Sequence, residues 1–250
     1  MGKTAQVVKT ENKRGKAVVE GGAGTAARTA GLLGGILSFA VSEGIIPFNP
    51  VRGITRQADG ARKRRLSGEE YRLLGKALKA AADDGDIEQG LNGIWLLALT
   101  GCRLGEIENL KWTEVDAASG CFRLMDSKEG ASVRPIGKPA FDIIANVERR
   151  KGCAFVLPAS RSNGAYGGMA RAMDRIMSRA GLKDVTAHTF RHSYASTAGD
   201  LGFSDSTIET LLGHVAGTVT SKYIHRLDSV LVSAANSVAL TIARQMLLRK

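Results

Sequence analysis

The sequence has 250 residues, of which 44% are hydrophobic and 24% charged, ordinary proportions for a globular protein and enough chain for one large domain or one domain with a fragment of another. A formal charge of +11 with a pI near 9.8 points to a polyanionic partner, most often nucleic acid where no membrane segment is present. No apolar run approaches the roughly 18 residues that span a bilayer, and the start at Gly2, Lys3 and Thr4 lacks the apolar core of a secretory signal, so a cytoplasmic location without membrane contact is expected.

The first thirty residues are rich in Lys, Gly, Thr and Ala and could not form a core alone. From Thr25 to Val41 the apolar residues Leu32, Leu33, Ile36, Leu37 and Phe39 recur at helical spacing, which predicts one amphipathic helix. It should stop at Gly44, with Pro47 and Pro50 forbidding a continuation. Positions 53–65 have no hydrophobic periodicity and read as a basic linker. Residues 1–65 hold twelve Lys and Arg against four acidic residues, while 66–250 hold twenty-three against twenty, so most of the excess charge lies at the front. The cluster Arg62, Lys63, Arg64, Arg65 is a candidate DNA-binding feature; a solvated linker is the plain alternative.

Ser67 followed by Glu70 has the spacing of a capping box, and Leu73, Leu74, Ala77 and Leu78 supply the apolar face of a helix behind it. A second helix is expected from Ile87 to Leu99, ending at Gly101, and a short third one through Leu104, Ile107 and Leu110. Cys121–Met125 and Ser132–Ile136 read as two strands joined by a turn at 127–130. Pro139 suits the first turn of a helix running to about Arg149. After the Gly-rich stretch 163–168 the remainder reads as helix, ending in an apolar-faced segment from Val230 to Leu248. The expected fold is mostly α with a small antiparallel β-sheet (α+β), divided into a segment 1–60 and a domain 61–250.

The three cysteines, Cys102, Cys121 and Cys153, show neither metal-ligand nor disulfide-framework spacing. All four histidines lie between His188 and His225, with the run His188-Thr189-Phe190-Arg191-His192 among them. His188 and His192, four apart, would share a helical face as metal ligands do, but Arg191 adds positive charge there and no carboxylate follows His188. They could equally be unremarkable histidines. A third reading is phosphate handling, since His188 and Arg191 are three apart on one face and could address a single phosphodiester. The surrounding residues select the third reading. Arg103 follows a Gly turn in Leu99-Thr100-Gly101-Cys102-Arg103-Leu104-Gly105-Glu106-Ile107, Lys128 sits in the hairpin turn, Leu211-Leu212-Gly213-His214 comes later, and Tyr223 lies nine residues past His214.

This order and spacing resembles the tyrosine recombinase (phage integrase) family, whose catalytic set is Arg, Lys, His-x-x-Arg, His or Trp, and Tyr. All six positions hold the expected residue type, and the likeness extends to Leu110–Asp116, to the entry Arg65-Leu66-Ser67, and to Phe39–Gly44 with Asn49-Pro50, covering about residues 25–250. The resemblance implies the recombinase catalytic-domain architecture preceded by a partial helical core-binding segment, so the chain is expected to be truncated at its front. It implies Tyr223 as nucleophile, Arg103 and Arg191 on the non-bridging phosphate oxygens, Lys128 as general acid, His188 as proton acceptor or relay and His214 as a phosphate hydrogen-bond donor, with no metal or cofactor. It further implies attachment-site DNA as partner, a homotetramer on DNA, scope for accessory DNA-bending proteins, a bacterial nucleoid location and a prophage or other mobile element as source. Tyr194, two residues past His192, and Tyr166 are the rival hydroxyls and read as packing or capping residues. Glu106 could orient Arg103 or form a surface salt bridge. Type IB topoisomerase-like cleavage and a non-catalytic DNA-binding remnant are the competing functions.

Overall fold

The computed structural model describes residues 5–9, 16–20, 22–54, 64–125, 131–213 and 229–247, and the chain divides into two compact units, 1–62 and 63–250. In the first unit, strands β1 (Ala5–Lys9) and β2 (Lys16–Glu20) pair antiparallel, with Val7 opposite Val18. The sequence reading had no strands here. Each five-residue strand holds one adjacent pair of β-branched valines, Val7-Val8 and Val18-Val19, a residue type that favours strands. Helix α1 (Ala23–Ser42) follows, and Gly44 adopts a positive φ of 71° just beyond it, the left-handed geometry that ends a helix. The chain then folds back: Asn49 Nδ2 donates to Gly34 O and to Ser38 Oγ, both at 2.8 Å, where Pro47 and Pro50 prevent further helix. Leu32, Ile36 and Phe39 remain exposed.

The second unit begins with the capping box read from sequence. Ser67 Oγ accepts from Glu70 N at 3.2 Å and Glu70 Oε2 accepts from Ser67 N at 2.9 Å, starting α2 (Gly68–Asp83). Helix α3 (Glu88–Thr100) is apolar all round, with Ile94, Leu96, Leu97 and Leu99 buried, and so becomes the central helix. Next come α4 (Leu104–Glu108), a 3₁₀ turn and a three-stranded antiparallel sheet of β3 (Val115–Asp116), β4 (Cys121–Leu124) and β5 (Ser132–Pro135). Helices α5 (Lys138–Ala145), α6 (Met169–Ala180), α7 (Ala187–Asp200), α8 (Asp205–Leu212) and α9 (Ser229–Leu247) complete the described unit. The core lies where α3 meets α5, α6, α7 and α9, with α2 closing it over α6 and α9. The fold is thus the mostly helical α+β arrangement expected.

Two expectations need adjusting. Helix α5 stops at Ala145 rather than near Arg149, because Asn146 Nδ2 caps the Asp142 carbonyl at 2.8 Å and the last backbone bonds tighten to Ile143 and Ile144. Arg149 leaves the helix to lie 4.2 Å above the Trp112 ring centre. Second, α1 and α9 have the length and mean hydropathy (1.2 and 1.3) of membrane spans although neither is an uninterrupted apolar run. Helix α9 turns its apolar stripe inward: Ala235, Val238, Ala239, Ile242 and Met246 are buried and Val232 is half-buried.

Arg64 forks onto Glu70 with bonds of 2.9 and 2.5 Å. That hydrogen bond, together with those from Ser67, offsets partial burial and holds the Glu70 carboxyl down at about 2, against an ordinary 4.5. A depressed carboxyl contributes stability that is present above pH 4.5 and lost as pH falls through about 2. Glu70→Gln can keep the capping box but loses the ion pair, so it should cost up to about 1 kcal/mol at pH 7. In urea titrations the gap between the two proteins should close between pH 4.5 and about 2.

Candidate active site

Helix α3 ends on Gly101 in the left-handed conformation (φ 61°), and a Cβ there would fall 2.8 Å from the Tyr194 ring. Only glycine fits both demands. The turn brings Arg103 to the head of α4, half-buried, where its backbone N–H donates to Glu106 Oε2 at 2.8 Å and its Nη1 to Glu106 Oε1 at 3.0 Å. Glu106 is itself buried, so it orients Arg103 from beneath rather than pairing with it at the surface.

Helix α7 starts at the Thr186 cap, whose hydroxyl accepts from Thr189 N at 3.3 Å. His188 is exposed, and its ring meets that of His192 edge to face at 5.3 Å. Arg191, three residues on, is buried. Its Nη1 donates to Gly101 O and its Nη2 to Leu212 O, both at 2.8 Å. These carbonyls belong to the ends of α3 and α8, where the helix dipole leaves partial negative charge and an arginine is well placed. Burial and then the nearby Arg134 and Arg103 charges lower the Arg191 guanidinium to about 10, which still leaves it cationic at neutral pH.

Beneath these residues lies Arg134 on β5. It pairs across the sheet with Phe122, faces inward with 1% exposure, and donates from Nη2 to Glu106 Oε1 at 2.6 Å. One carboxylate oxygen therefore bridges Arg103 and Arg134. Burial works to raise the Glu106 carboxyl, but the Arg134 charge and the hydrogen bonds from Arg103 and Arg134 bring it below the usual carboxylate range. The Arg134 guanidinium rests against Gly213, the left-handed cap of α8 (φ 64°), where a Cβ would come within 2.5 Å of it. Sequence reasoning missed Arg134. The available signal was a charged residue at an inward position of a short strand, opposite an apolar one.

The structure thus brings together Arg103, His188-bearing α7 and Arg191 around the α3–α4 turn. Lys128, His214, Tyr223 and His225 lie outside the described residues, as do Arg62 and Lys63. Arg64 is matched by Glu70 and Arg65 by Asp200 at 2.8 Å, so each basic residue of that pair has an acidic partner within its own unit. Tyr194 is fully enclosed and burial pushes its phenol far above the usual value, which suits packing and not nucleophilic attack. Tyr166 is buried against Gly168 and Gly90. Among the described residues no group of His, Cys, Asp and Glu is arranged to hold a metal ion.

A three-stranded sheet on a helical core, with Arg103 and Arg191 set at helix ends, defines an α+β domain. Residues 64–229 match the model of the phage integrase family, and the chain belongs to that family of tyrosine recombinases. It is 30% identical over 207 residues to the tyrosine recombinase XerC of Xylella fastidiosa strain 9a5c, covering 76% of this chain and 66% of that one. It is 28% identical over 138 residues to XerC of Syntrophus aciditrophicus strain SB, covering 50% and 44%. The chain therefore spans between under half and about two thirds of the length of these relatives. A lambda integrase (75–356) dimer bound to a COC′ core site superposes with a TM-score of 0.62 at 21% identity over 78% of this chain and 74% of that one. The integrase of mycobacterium phage Brujita gives 0.57 at 17% over 91% and 79%. At these identities the structural likeness establishes the fold.

Gly213→Ala should place a methyl against the Arg134 guanidinium and force a left-handed alanine. The expected loss is about 1–3 kcal/mol, read by urea denaturation. A change within 0.3 kcal/mol would mean that the contact is loose, given the roughly ±0.5 kcal/mol typical of surface positions.

Proposed function

We propose that this chain is the catalytic portion of a site-specific DNA recombinase that cuts and rejoins strands through a covalent 3′-phosphotyrosyl intermediate on Tyr223. What supports the reading is the Arg191 bond to Gly101 O, which joins parts of the chain 90 residues apart and brings the helix carrying His188 and Arg191 to the turn ahead of Arg103. Two guanidiniums at a buried site suit the non-bridging oxygens of a phosphodiester, whose charge develops further in the transition state.

In this mechanism the Tyr223 oxygen attacks phosphorus, forming the P–O bond of the phosphotyrosine as the P–O bond to the 5′ oxygen breaks. His188 takes or relays the tyrosine proton, and Lys128 supplies one to the leaving 5′ oxygen. His214 donates a hydrogen bond to the phosphate. The ester conserves the bond energy, so attack by a 5′ hydroxyl reverses the step and reseals a strand without ATP. Two arginines and a lysine carry the charge stabilisation, and the mechanism assigns no step to a metal ion or cofactor.

The natural substrate is double-stranded DNA at attachment sites of a prophage or other mobile element, acted on by a homotetramer. Two relatives in fold support this: a lambda integrase dimer is bound to a COC′ core site and a lambda integrase tetramer to a Holliday junction. The segment 1–60 serves as part of a core-binding region and 61–250 as the catalytic domain. The protein works in the cytoplasm at the bacterial nucleoid, where DNA-bending proteins can assist.

The test is covalent capture. The chain is incubated with a pool of nicked duplexes of randomised core sequence, and adducts are recovered from a denaturing gel. Wild type should yield an adduct that disappears in Tyr223→Phe, and Arg103→Ala or Arg191→Ala should slow its formation by on the order of a hundredfold or more. An adduct that persists in Tyr223→Phe removes Tyr223 as the nucleophile. Retention of DNA without any wild-type adduct leaves a binding protein.

A further inference from the structure

Glu106 presents a difficulty for the site just described. It orients Arg103 through two bonds, from the Arg103 backbone N–H at 2.8 Å and from Nη1 at 3.0 Å. A buried carboxylate in that position would also neutralise the guanidinium that must attract phosphate, because the attraction between close charges is strong where water is excluded. Arg134 changes the balance. Its side chain and that of Glu106 are 1% and 5% exposed, and its Nη2 reaches the same Glu106 oxygen at 2.6 Å, closer than Arg103 does. Around this carboxylate stand the guanidiniums of Arg103, Arg134 and Arg191, so among the described side chains three cations share one bonded carboxylate.

We infer that Arg134 is a positioning residue of the strand-cleavage site, the counter-ion that lets Glu106 aim Arg103 without neutralising it. The inference rests on the recombinase reading above and deepens it. A plain structural salt bridge would satisfy the buried arginine completely. Here Nε and Nη1 of Arg134 have no hydrogen-bond partner among the described residues, and the guanidinium is pressed against Gly213, directly ahead of His214. A buried cation so poorly satisfied is costly to the fold. The cost has a use if the surplus charge serves an anion bound above it.

Three variants and their single-turnover adduct rates on the captured nicked duplex decide the matter, alongside DNA affinity and melting temperature. In Arg134→Met the carboxylate acts on Arg103 alone, so cleavage should fall by about a hundredfold while the chain still folds and binds DNA. In the double variant Arg134→Met with Glu106→Gln the unopposed negative charge is gone, and the rate should recover by at least about tenfold over Arg134→Met. Packing alone would not yield such a rescue, since removing two buried partners without charge coupling makes matters worse or leaves them unchanged. The inference is overturned if Arg134→Met cleaves like wild type, or if the double variant is no faster than the single one. Should Arg134→Met fail to fold, Arg134→Lys decides instead: it keeps the charge and should cleave within about tenfold of wild type, and a loss beyond about a hundredfold overturns the inference. Absence of a Tyr223-dependent adduct in wild type itself brings down the recombinase reading and this inference together, whereas a normal wild-type adduct with uncoupled Arg134 and Glu106 removes the inference only.

Discussion

The clasp of Arg191 on two carbonyls, Gly101 O and Leu212 O, is the constraint on which the rest of the site depends. It ties α7 to the end of α3, 90 residues earlier in the chain, and to the end of α8, the helix that follows it. Both carbonyls sit where helices leave acceptors unsatisfied, so a buried cation answers a need that those helix ends would otherwise have to meet with water. Charge-assisted bonds of this kind are stronger than neutral ones, and a planar guanidinium fixes direction as well as distance. A lysine would hold one end and leave the other. Because these bonds lock the side chain into the scaffold, its position is set before any substrate arrives.

That double clasp explains why so much positive charge can be kept together. Arg103 and Arg134 both act to lower the Arg191 guanidinium, yet at about 10 it remains charged at neutral pH. Glu106 is the sole carboxylate bonded to this cluster among the described side chains, and it is shared between Arg103 and Arg134. The like charges are held by carbonyls, one carboxylate and the packing around them, and an incoming phosphate would relieve their repulsion. Such an arrangement is the general form of electrostatic preorganisation, in which the fold has already met the cost of arranging dipoles and charges.

What could be read from the amino acids divides along a physical line. Local signals were legible: the Ser67–Glu70 capping box, the helix-ending glycines Gly44 and Gly101, and the two strands 121–124 and 132–135 were visible because each depends on neighbours within a few residues. The candidate residues Arg103, His188 and Arg191 were legible through spacing and resemblance. Arg134 was not, because its burial follows from the β4–β5 register and from Gly213, nearly eighty positions away, neither of which local periodicity encodes. The early end of α5 was missed although its cause is local: the Asn146 amide turns back to the Asp142 carbonyl four positions earlier, where another helical turn was equally open to the sequence. The β1–β2 hairpin was overlooked because five-residue strands in a Lys- and Gly-rich stretch carry little pattern.

The glycine at 213 links these themes. Leu212 gives its carbonyl to Arg191, and the next residue lies on the Arg134 guanidinium, so two arginines from distant elements fix the point at which the chain leaves α8. His214 is the next residue, and Tyr223 follows within the same connection to Ser229, the start of α9, which is itself seated in the core along Val238, Ala239 and Ile242. Arg191 and Arg134 thus act at one point, the end of α8, and in the proposed reaction the same two side chains would serve both the fold at that point and the charge of the phosphate site.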